Sequence, residues 1–127
     1  MHIDNLSPVE RQVMQIVWDR GEVSASEARN ALPRDAARNT VRTLLERMEK
    51  KGWVTHREVG RAYLYRAARP RAESIGLKVR EIIETICGGA PETLVAALLD
   101  YRGLRRGELL RIRKMLDEAQ AEPLKEK

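Results

Sequence analysis

The chain has 127 residues, 43% hydrophobic and 34% charged, a composition typical of a globular protein with one domain or two small ones. It has no Phe and a single cysteine, Cys87, so aliphatic side chains must fill the core and an internal disulfide is excluded. The net charge is +5, but residues 34–69 alone carry ten Lys or Arg against four Asp or Glu, which is typical of a nucleic-acid-binding surface.

The first predicted helix begins at a capping box. Residues 1–6 are expected to be frayed. Ser7 is then the N-cap, Pro8 takes the first helical position, and Glu10 closes the box. One face carries the apolar residues Val9, Val13, Ile16 and Val17, flanked by Met14 and Trp18, and the helix ends at residues 19–21.

A second capping box opens a short helix. Residues 22–23 predict an extended link, and Ser24 with Glu27 forms the box. The helix has a face of small residues and stops before Pro33; this face consists of Ala25, Ala28, Ala31 and Leu32. A short loop then leads to a third helix.

The third helix, residues 38–52, has two contrasting faces. Val41, Leu44, Leu45 and Met48 follow the i, i+3, i+4, i+7 spacing of one buried stripe. The opposite face carries Asn39, Arg42, Thr43, Glu46, Arg47 and Lys50. Alone, this face is equally consistent with an ordinary solvated surface and with a surface that reads DNA bases. Three helices in a row, with this one third, predict a helix-turn-helix and favour DNA.

A hairpin is predicted directly after the third helix. Residues 53–58 and 62–66 have strand-like composition, and Gly60 supplies the turn between them. In this position a two-stranded hairpin is a wing. Arg61 lies at its tip, where it either contacts a phosphate or minor groove or remains a solvated arginine. Arg42 is suited to a bidentate pair with guanine, whereas Arg38, Arg47, Lys50, Lys51 and Arg61 are suited to phosphates.

Residues 67–71, with Pro70, predict a linker that divides the chain into a winged-helix domain, residues 1–69, and a helical region, residues 70–127. Three further helices are expected, and residues 121–127 are expected to be disordered. Regions this short rarely build a stable core alone, so a homodimer is favoured over packing onto the first domain. The predicted dimerisation residues are Ile82, Ile83, Ile86, Leu94, Val95, Leu98, Leu99, Leu109, Ile112, Met115 and Leu116. The expected fold class is mainly α, with a two- or three-stranded wing.

Several stretches resemble a known family. They are residues 6–10 and 14–18, the run from Thr40 to Leu45 followed by residues 47–52, residues 63–65, and the spacing to Gly88, Gly89, Leu94 and Val95. Over about residues 6–118 the chain is similar to the penicillinase/methicillin-resistance repressor family of bacterial winged-helix transcriptional regulators.

The resemblance implies a dimeric transcriptional repressor that binds a palindromic operator in double-stranded DNA. It places Thr40, Arg42 and Thr43 at the bases, with Asn39 and Arg47 close by. Some relatives are inactivated by proteolysis at an Asn-Phe bond, but the corresponding positions here are Ala97 and Leu98, so an upstream sensor protease stays an open question. Copper-sensing relatives carry paired Cys-x-Cys motifs, which a chain with only Cys87 lacks.

Other classes of protein find little support in the sequence. No signal peptide or membrane span is evident, which predicts a cytoplasmic protein without a membrane partner. The two histidines, His2 and His56, form no zinc-spaced group with cysteine, and no glycine-rich phosphate loop occurs. We therefore predict no catalytic residue, no metal and no cofactor, with Cys87 as a small buried hydrophobe. The alternative to the repressor is a winged helix that binds proteins or binds DNA nonspecifically.

Overall fold

The computed structural model describes residues 2–33 and 38–121, with the backbone alone for Arg38 and Asn39. The chain divides into two compact units, residues 1–80 and residues 81–127. The first contains a 3-10 turn (Ile3–Asn5), α1 (Pro8–Arg20), β1 (Glu22–Val23), α2 (Ala25–Ala31), α3 (Arg38–Lys50), β2 (Val54–Val59), β3 (Ala62–Ala67) and most of α4 (Arg71–Thr85). The second contains α5 (Pro91–Ala97), a π-helical turn (Leu98–Arg102) and α6 (Arg106–Ala121).

Both predicted capping boxes are confirmed. The Ser7 hydroxyl accepts from the Glu10 amide, and the Glu10 carboxylate accepts from the Ser7 amide. Ser24 and Glu27 make the same reciprocal pair at the start of α2. These short-range bonds fix where α1 and α2 begin, because each satisfies backbone donors that the helix itself leaves unpaired.

The buried face of α1 differs from the predicted one. Val13, Met14 and Val17 are fully buried, but Val9 is exposed and Glu10 is only 1% exposed. The apolar spacing misplaced Val9 because Glu10 folds back onto Ser7 and also meets Lys51, the residue that follows α3. The polar residue therefore takes an inward position that hydrophobicity alone would not assign to it.

The expectation that residues 1–6 are frayed is wrong for the part that the structure describes. Residues 3–5 form a 3-10 turn, and Leu6 is buried in the core. The Asn5 carbonyl accepts a hydrogen bond from the Lys51 ammonium at 2.9 Å. This long-range contact and the burial of Leu6 hold the segment against the first unit.

The sheet is antiparallel with strand order β1-β3-β2. β2 and β3 form the predicted hairpin, with Val54 opposite Ala67 and Val59 opposite Ala62. Gly60 has φ 63° in the turn, a conformation that favours glycine. β1 adds the third strand by pairing Val23 with Tyr65. The predicted extended link is thus part of the sheet.

The core of the first unit lies between the three helices and the base of the hairpin. Its buried apolar residues are Leu6, Val13, Met14, Val17, Val23, Ala28, Val41, Leu45, Met48, Trp53, Val54 and Tyr65. The unit extends to Arg80 and so includes the start of α4. The Trp18 indole N–H donates to the Arg69 carbonyl at 2.8 Å, which fastens the predicted linker to α1.

The second unit has no comparable core. Among its described residues, 81–121, none is buried. Arg102 bridges to Glu108 at 2.8 and 3.0 Å, and the Glu108 carboxylate also accepts from the Arg105 amide, which fixes the start of α6. The predicted disordered tail lies outside the described residues from 122 onward, whereas residue 121 ends α6.

Candidate nucleic-acid interface

The two faces of α3 are separated as the sequence predicts. Val41, Leu45 and Met48 are fully buried and Leu44 is half-buried. The opposite face is exposed and consists of Thr40, Arg42, Thr43, Glu46, Arg47 and Lys50. The side chains of Arg38 and Asn39, which were also predicted to contact DNA, lie outside the description. The core thus fixes one side of α3 and leaves the other side to solvent.

The exposed face of α3 borders a cleft of about 500 Å³ inside the first unit. Its lining includes Arg42 and Glu46 from α3, Arg61 and Tyr63 from the wing, and Ser24 and Ser26 around the start of α2. The cleft therefore brings together the predicted base-reading arginine and the predicted arginine of the wing tip, which are 19 positions apart in the chain.

Four cations on this surface are unpaired within the described chain. Arg42, Arg47, Lys50 and Arg61 have no hydrogen bond or ion pair to another described residue, and all four are exposed. Unpaired cations are the groups that a polyanion recruits at least cost, since no internal contact has to be broken. The arrangement can therefore bind phosphates along one side of the first unit.

Two contacts hold the wing in place. Arg57 donates to the two carboxylate oxygens of Glu22 at 2.8 and 2.9 Å. This hydrogen-bonded pair lowers the pKa of the Glu22 carboxyl and raises the pKa of the Arg57 guanidinium. His56 Nδ1 lies 2.7 Å from Glu49 of α3, and its ring stacks on Tyr63 with centroids 4.3 Å apart. The hairpin is thus joined to β1 and to α3.

Lys51 differs from the other predicted cations, because its ammonium is engaged inside the protein. Its Nζ lies 2.9 Å from Glu10 Oε1 and donates to the Asn5 carbonyl. Burial opposes ionisation of Glu10, but the Ser7 amide and the Lys51 ammonium outweigh it and hold the pKa of the carboxyl below its ordinary value. These contacts tie the end of α3 to the start of α1.

Sequence reasoning missed Ser24, Ser26 and Tyr63 as residues of the cleft. Ser24 was recognised only as a helix cap, and its hydroxyl does accept from the Glu27 amide at 3.1 Å. Tyr63 was recognised only as a strand residue. The alternation of the hairpin gave a weak signal for it, since Arg61 and Tyr63 are two positions apart and so share a face of β3 and its turn.

The predicted dimerisation residues lie on α4, α5, the π-helical turn and α6, except Ile86, which directly follows α4. Ile82 and Ile83 are half-buried on α4, and Ile86 follows α4 with 79% exposure. The others lie on α5, on the π-helical turn and on α6; they are Leu94, Val95, Leu98, Leu99, Leu109, Ile112, Met115 and Leu116. Leu94 and Ile112 are half-buried and the other six are exposed.

Cys87 is half-buried rather than fully buried. Along the described chain no helix is both long enough and apolar enough to cross a bilayer.

Three helices, a small sheet with a β2–β3 wing and a cationic face on the third helix define a winged-helix protein. The family model described as the penicillinase repressor matches residues 6–118. The chain belongs to the penicillinase repressor family, as its sequence predicted.

Individual relatives agree with this assignment. An uncharacterised 16.5 kDa protein of Latilactobacillus sakei is 30% identical, over 89% of this chain and 79% of its own. The penicillinase repressor of Bacillus licheniformis is 24% identical, over 91% of this chain and 92% of its own. The crystal structure of the transcriptional regulator Tm0710 from Thermotoga maritima has a TM-score of 0.55 at 21% identity, covering 93% of this chain and 76% of that one, and it supports the fold.

Proposed function

We propose that this protein is a dimeric, sequence-specific DNA-binding repressor that occupies a palindromic operator. The observation that carries the proposal is the cluster of unpaired cations on α3 and the wing, with Arg42 and Arg61 on one cleft. Membership of the penicillinase repressor family supports the same function. Such a repressor acts in the bacterial cytoplasm, where the chromosome lies.

The exposed face of α3 supplies the groups that distinguish bases. An arginine guanidinium pairs with the O6 and N7 atoms of guanine, so Arg42 is assigned to a guanine in the major groove. Glu46 lies on the same cleft, and its carboxylate is suited to accept from the amino group of cytosine. Thr40 and Thr43, and Asn39 by its position in the sequence, complete the proposed base-reading set.

Other cations are assigned to phosphates, which position the protein without reading sequence. Arg47 and Lys50 occupy the exposed side of α3, and Arg61 lies at the turn of the wing. Arg38 is assigned here from the sequence alone. Lys51 is given a structural role instead, because phosphate binding would compete with its contacts to Glu10 and Asn5.

Two copies are needed to read a palindrome. Two recognition helices that enter successive major grooves lie about 34–36 Å apart. The exposed apolar residues of the second unit supply the surface through which the copies are proposed to associate. Occupancy of a promoter by the dimer then excludes the polymerase. Weakening the dimer releases the DNA, because one half-site alone binds poorly.

Selection of bound fragments from a random pool of duplex DNA tests the proposal. The expected product is a pair of inverted half-sites whose centres lie about one helical turn, or a multiple of it, apart. Gel-shift titrations of the selected duplex at several salt concentrations then measure affinity. A pool without a consensus, bound only at low salt, would indicate a nonspecific module. Absence of DNA binding would leave the protein-interaction alternative.

A further inference from the structure

The cleft beside α3 contains a tyrosine whose hydroxyl group is unused. Tyr63 lines the cleft with Arg42 and Arg61, and it is 45% exposed. Tyr65 also lines the cleft, but it is only 1% exposed. The rings of His56 and Tyr65 contact the Tyr63 ring, whereas the Tyr63 hydroxyl has no hydrogen bond to another described residue. Tyr63 therefore offers a free donor beside two arginines.

We propose that Tyr63 binds a phosphate of the DNA backbone, with its hydroxyl donating to a phosphate oxygen, and that His56 is a positioning residue that holds the tyrosine ring. The inference rests on the proposed DNA-binding function and adds to it a contact that no cation supplies. Because the hydroxyl is an uncharged donor, its effect on binding can be separated by experiment from the effect of the arginines.

Two aromatic neighbours hold the ring of Tyr63 before any DNA binds. The His56 ring stacks on it, with centroids 4.3 Å apart and planes inclined by 19°. The Tyr65 ring meets it edge-on, with centroids 6.5 Å apart, and Tyr65 is buried in the core. Such aromatic pairs favour a defined ring geometry. The Tyr63 hydroxyl is thus carried on a ring that packs against the core of the first unit.

His56 also relates the tyrosine to the recognition helix. Its Nδ1 atom lies 2.7 and 2.8 Å from the two carboxylate oxygens of Glu49 on α3. In the β2–β3 register His56 lies opposite Tyr65, which is two positions from Tyr63 and so shares its face of β3. One imidazole ring therefore contacts α3 through Glu49 and contacts Tyr63 by stacking. These contacts set the position of the Tyr63 hydroxyl relative to the exposed face of α3.

The charges of the cleft favour an anion as the partner of Tyr63. The charged residues of its lining are Arg42, Arg61 and Glu46, which give a net charge of +1. Tyrosine hydroxyls are among the groups that contact phosphates in protein–DNA complexes, and such contacts fix the register of the protein without reading sequence. Tyr63 belongs to the wing, whereas the proposed base-reading residues lie on α3. A backbone phosphate is therefore favoured over a base edge.

Tyr63→Phe tests the contact, because it removes the hydroxyl and keeps the ring that stacks on His56. Tyr101→Phe is the matched control, since Tyr101 is 91% exposed and lies in the second unit. In gel shifts of the full chain on the selected duplex, Tyr63→Phe should bind about tenfold more weakly per half-site, as expected for the loss of a hydrogen bond to a charged group. Its log affinity should fall with log salt at the wild-type slope, because no cation is removed and the same counterions are released.

Neutral backbone substitutions in the duplex identify the phosphate. A methylphosphonate in place of one phosphate removes its charge and one acceptor oxygen. In each half-site we expect one position at which this replacement weakens binding of the wild type but has little effect on Tyr63→Phe, since the contact is already absent. His56→Ala should likewise weaken binding of the wild type and have little further effect in the Tyr63→Phe background. Thermal melts check that each variant is folded.

Failure of this inference and failure of the proposed function give different results. If Tyr63→Phe binds the duplex as tightly as the wild type and Tyr101→Phe do, Tyr63 holds no phosphate, although the repressor stands. If selection with Tyr63→Phe gives a different half-site, Tyr63 reads a base and the phosphate contact is refuted. If His56→Ala causes the same loss in both backgrounds, His56 is not a positioning residue. If the wild type binds no duplex, the function and the inference both fail.

Discussion

Replacing Lys51 with methionine tests whether the contact between α3 and α1 holds the first unit together. The substitution keeps most of the aliphatic stem but removes the ammonium that lies 2.9 Å from Glu10. The Glu10 carboxylate would remain 1% exposed and would keep only the Ser7 amide as a partner among the described residues. Its second oxygen, Oε2, already has no hydrogen-bond partner in the described chain.

The structure bounds the loss of unfolding free energy that Lys51→Met should cause. Removing one partner of a buried ion pair costs about 3–5 kcal/mol, because the remaining charge is left uncompensated. The Lys51 side chain is 33% exposed, so water can partly replace its ammonium and the lower value of about 3 kcal/mol applies. For a unit of this size each kcal/mol lowers the melting temperature by about 4–8 °C. A decrease of about 12–24 °C is therefore expected.

The effect should depend on pH in a defined direction. Glu10 has a pKa below the ordinary 4.5 in the folded protein. Its ionisation therefore contributes stability that is fully present above pH 4.5 and is lost as the pH falls through the folded pKa. The difference between wild type and Lys51→Met should be largest at neutral pH and should shrink below pH 4.5, where protonation of Glu10 removes the unpaired charge.

The difference in melting temperature between the wild type and Lys51→Met is measured by thermal melts at one protein concentration and several pH values, with circular dichroism as the signal. Lys50→Met is the matched control, because Lys50 is exposed and has no ion pair to a described residue. The double variant Glu10→Gln with Lys51→Met should recover part of the loss, since it leaves no charge behind. If Lys51→Met melts no lower than Lys50→Met at neutral pH, the buried pair does not stabilise the unit and the reasoning is refuted.

Further predictions concern the interface and the termini of elements. Arg42→Ala should reduce discrimination between the selected operator and a scrambled duplex by about 1–3 kcal/mol, measured by competition gel shift. Arg61→Ala should weaken binding to both duplexes alike and lower the slope of log affinity against log salt by about one. Identical behaviour of the two variants would contradict the assignment of Arg42 to a base and of Arg61 to a phosphate. Gly60→Ala should cost about 1–2 kcal/mol in unfolding free energy, because φ 63° is unfavourable for alanine. Arg102 lowers the pKa of Glu108 to about 2, so Glu108→Gln should lower the thermal stability of α6 at neutral pH, and the two proteins should converge in an acid titration from pH 4.5 towards 2.

Local signals in the sequence predicted the order and starts of the elements well. The pairs Ser7 with Glu10 and Ser24 with Glu27 act within one helical turn, so their geometry follows from spacing alone. The hairpin was predicted for the same reason, since Gly60 sits between two strand-like runs. The i, i+3, i+4, i+7 spacing of the apolar residues also assigned the two faces of α3.

Contacts that depend on tertiary placement were not predictable. Glu10 and Lys51 are 41 positions apart, and Arg57 and Glu22 are 35 apart, so no local pattern relates them. For this reason Glu10 was recognised only as a capping residue, and Lys51 was predicted to contact a phosphate. The cleft was found only in part, because Ser24 and Ser26 reach it through the packing of α2 beside α3 and the wing. The division of the chain into domains 1–69 and 70–127 stays a prediction.

The position of β3 in the middle of the sheet has a consequence for the entropy of binding. β3 pairs with β2 on one side and with β1, the connection between α1 and α2, on the other. The base of the wing therefore cannot swing without breaking the main-chain pairing of β1 with β3, at Glu22 with Arg66 and Val23 with Tyr65. When a duplex binds, the backbone at the base of the wing is already fixed, so no entropy has to be lost to order it.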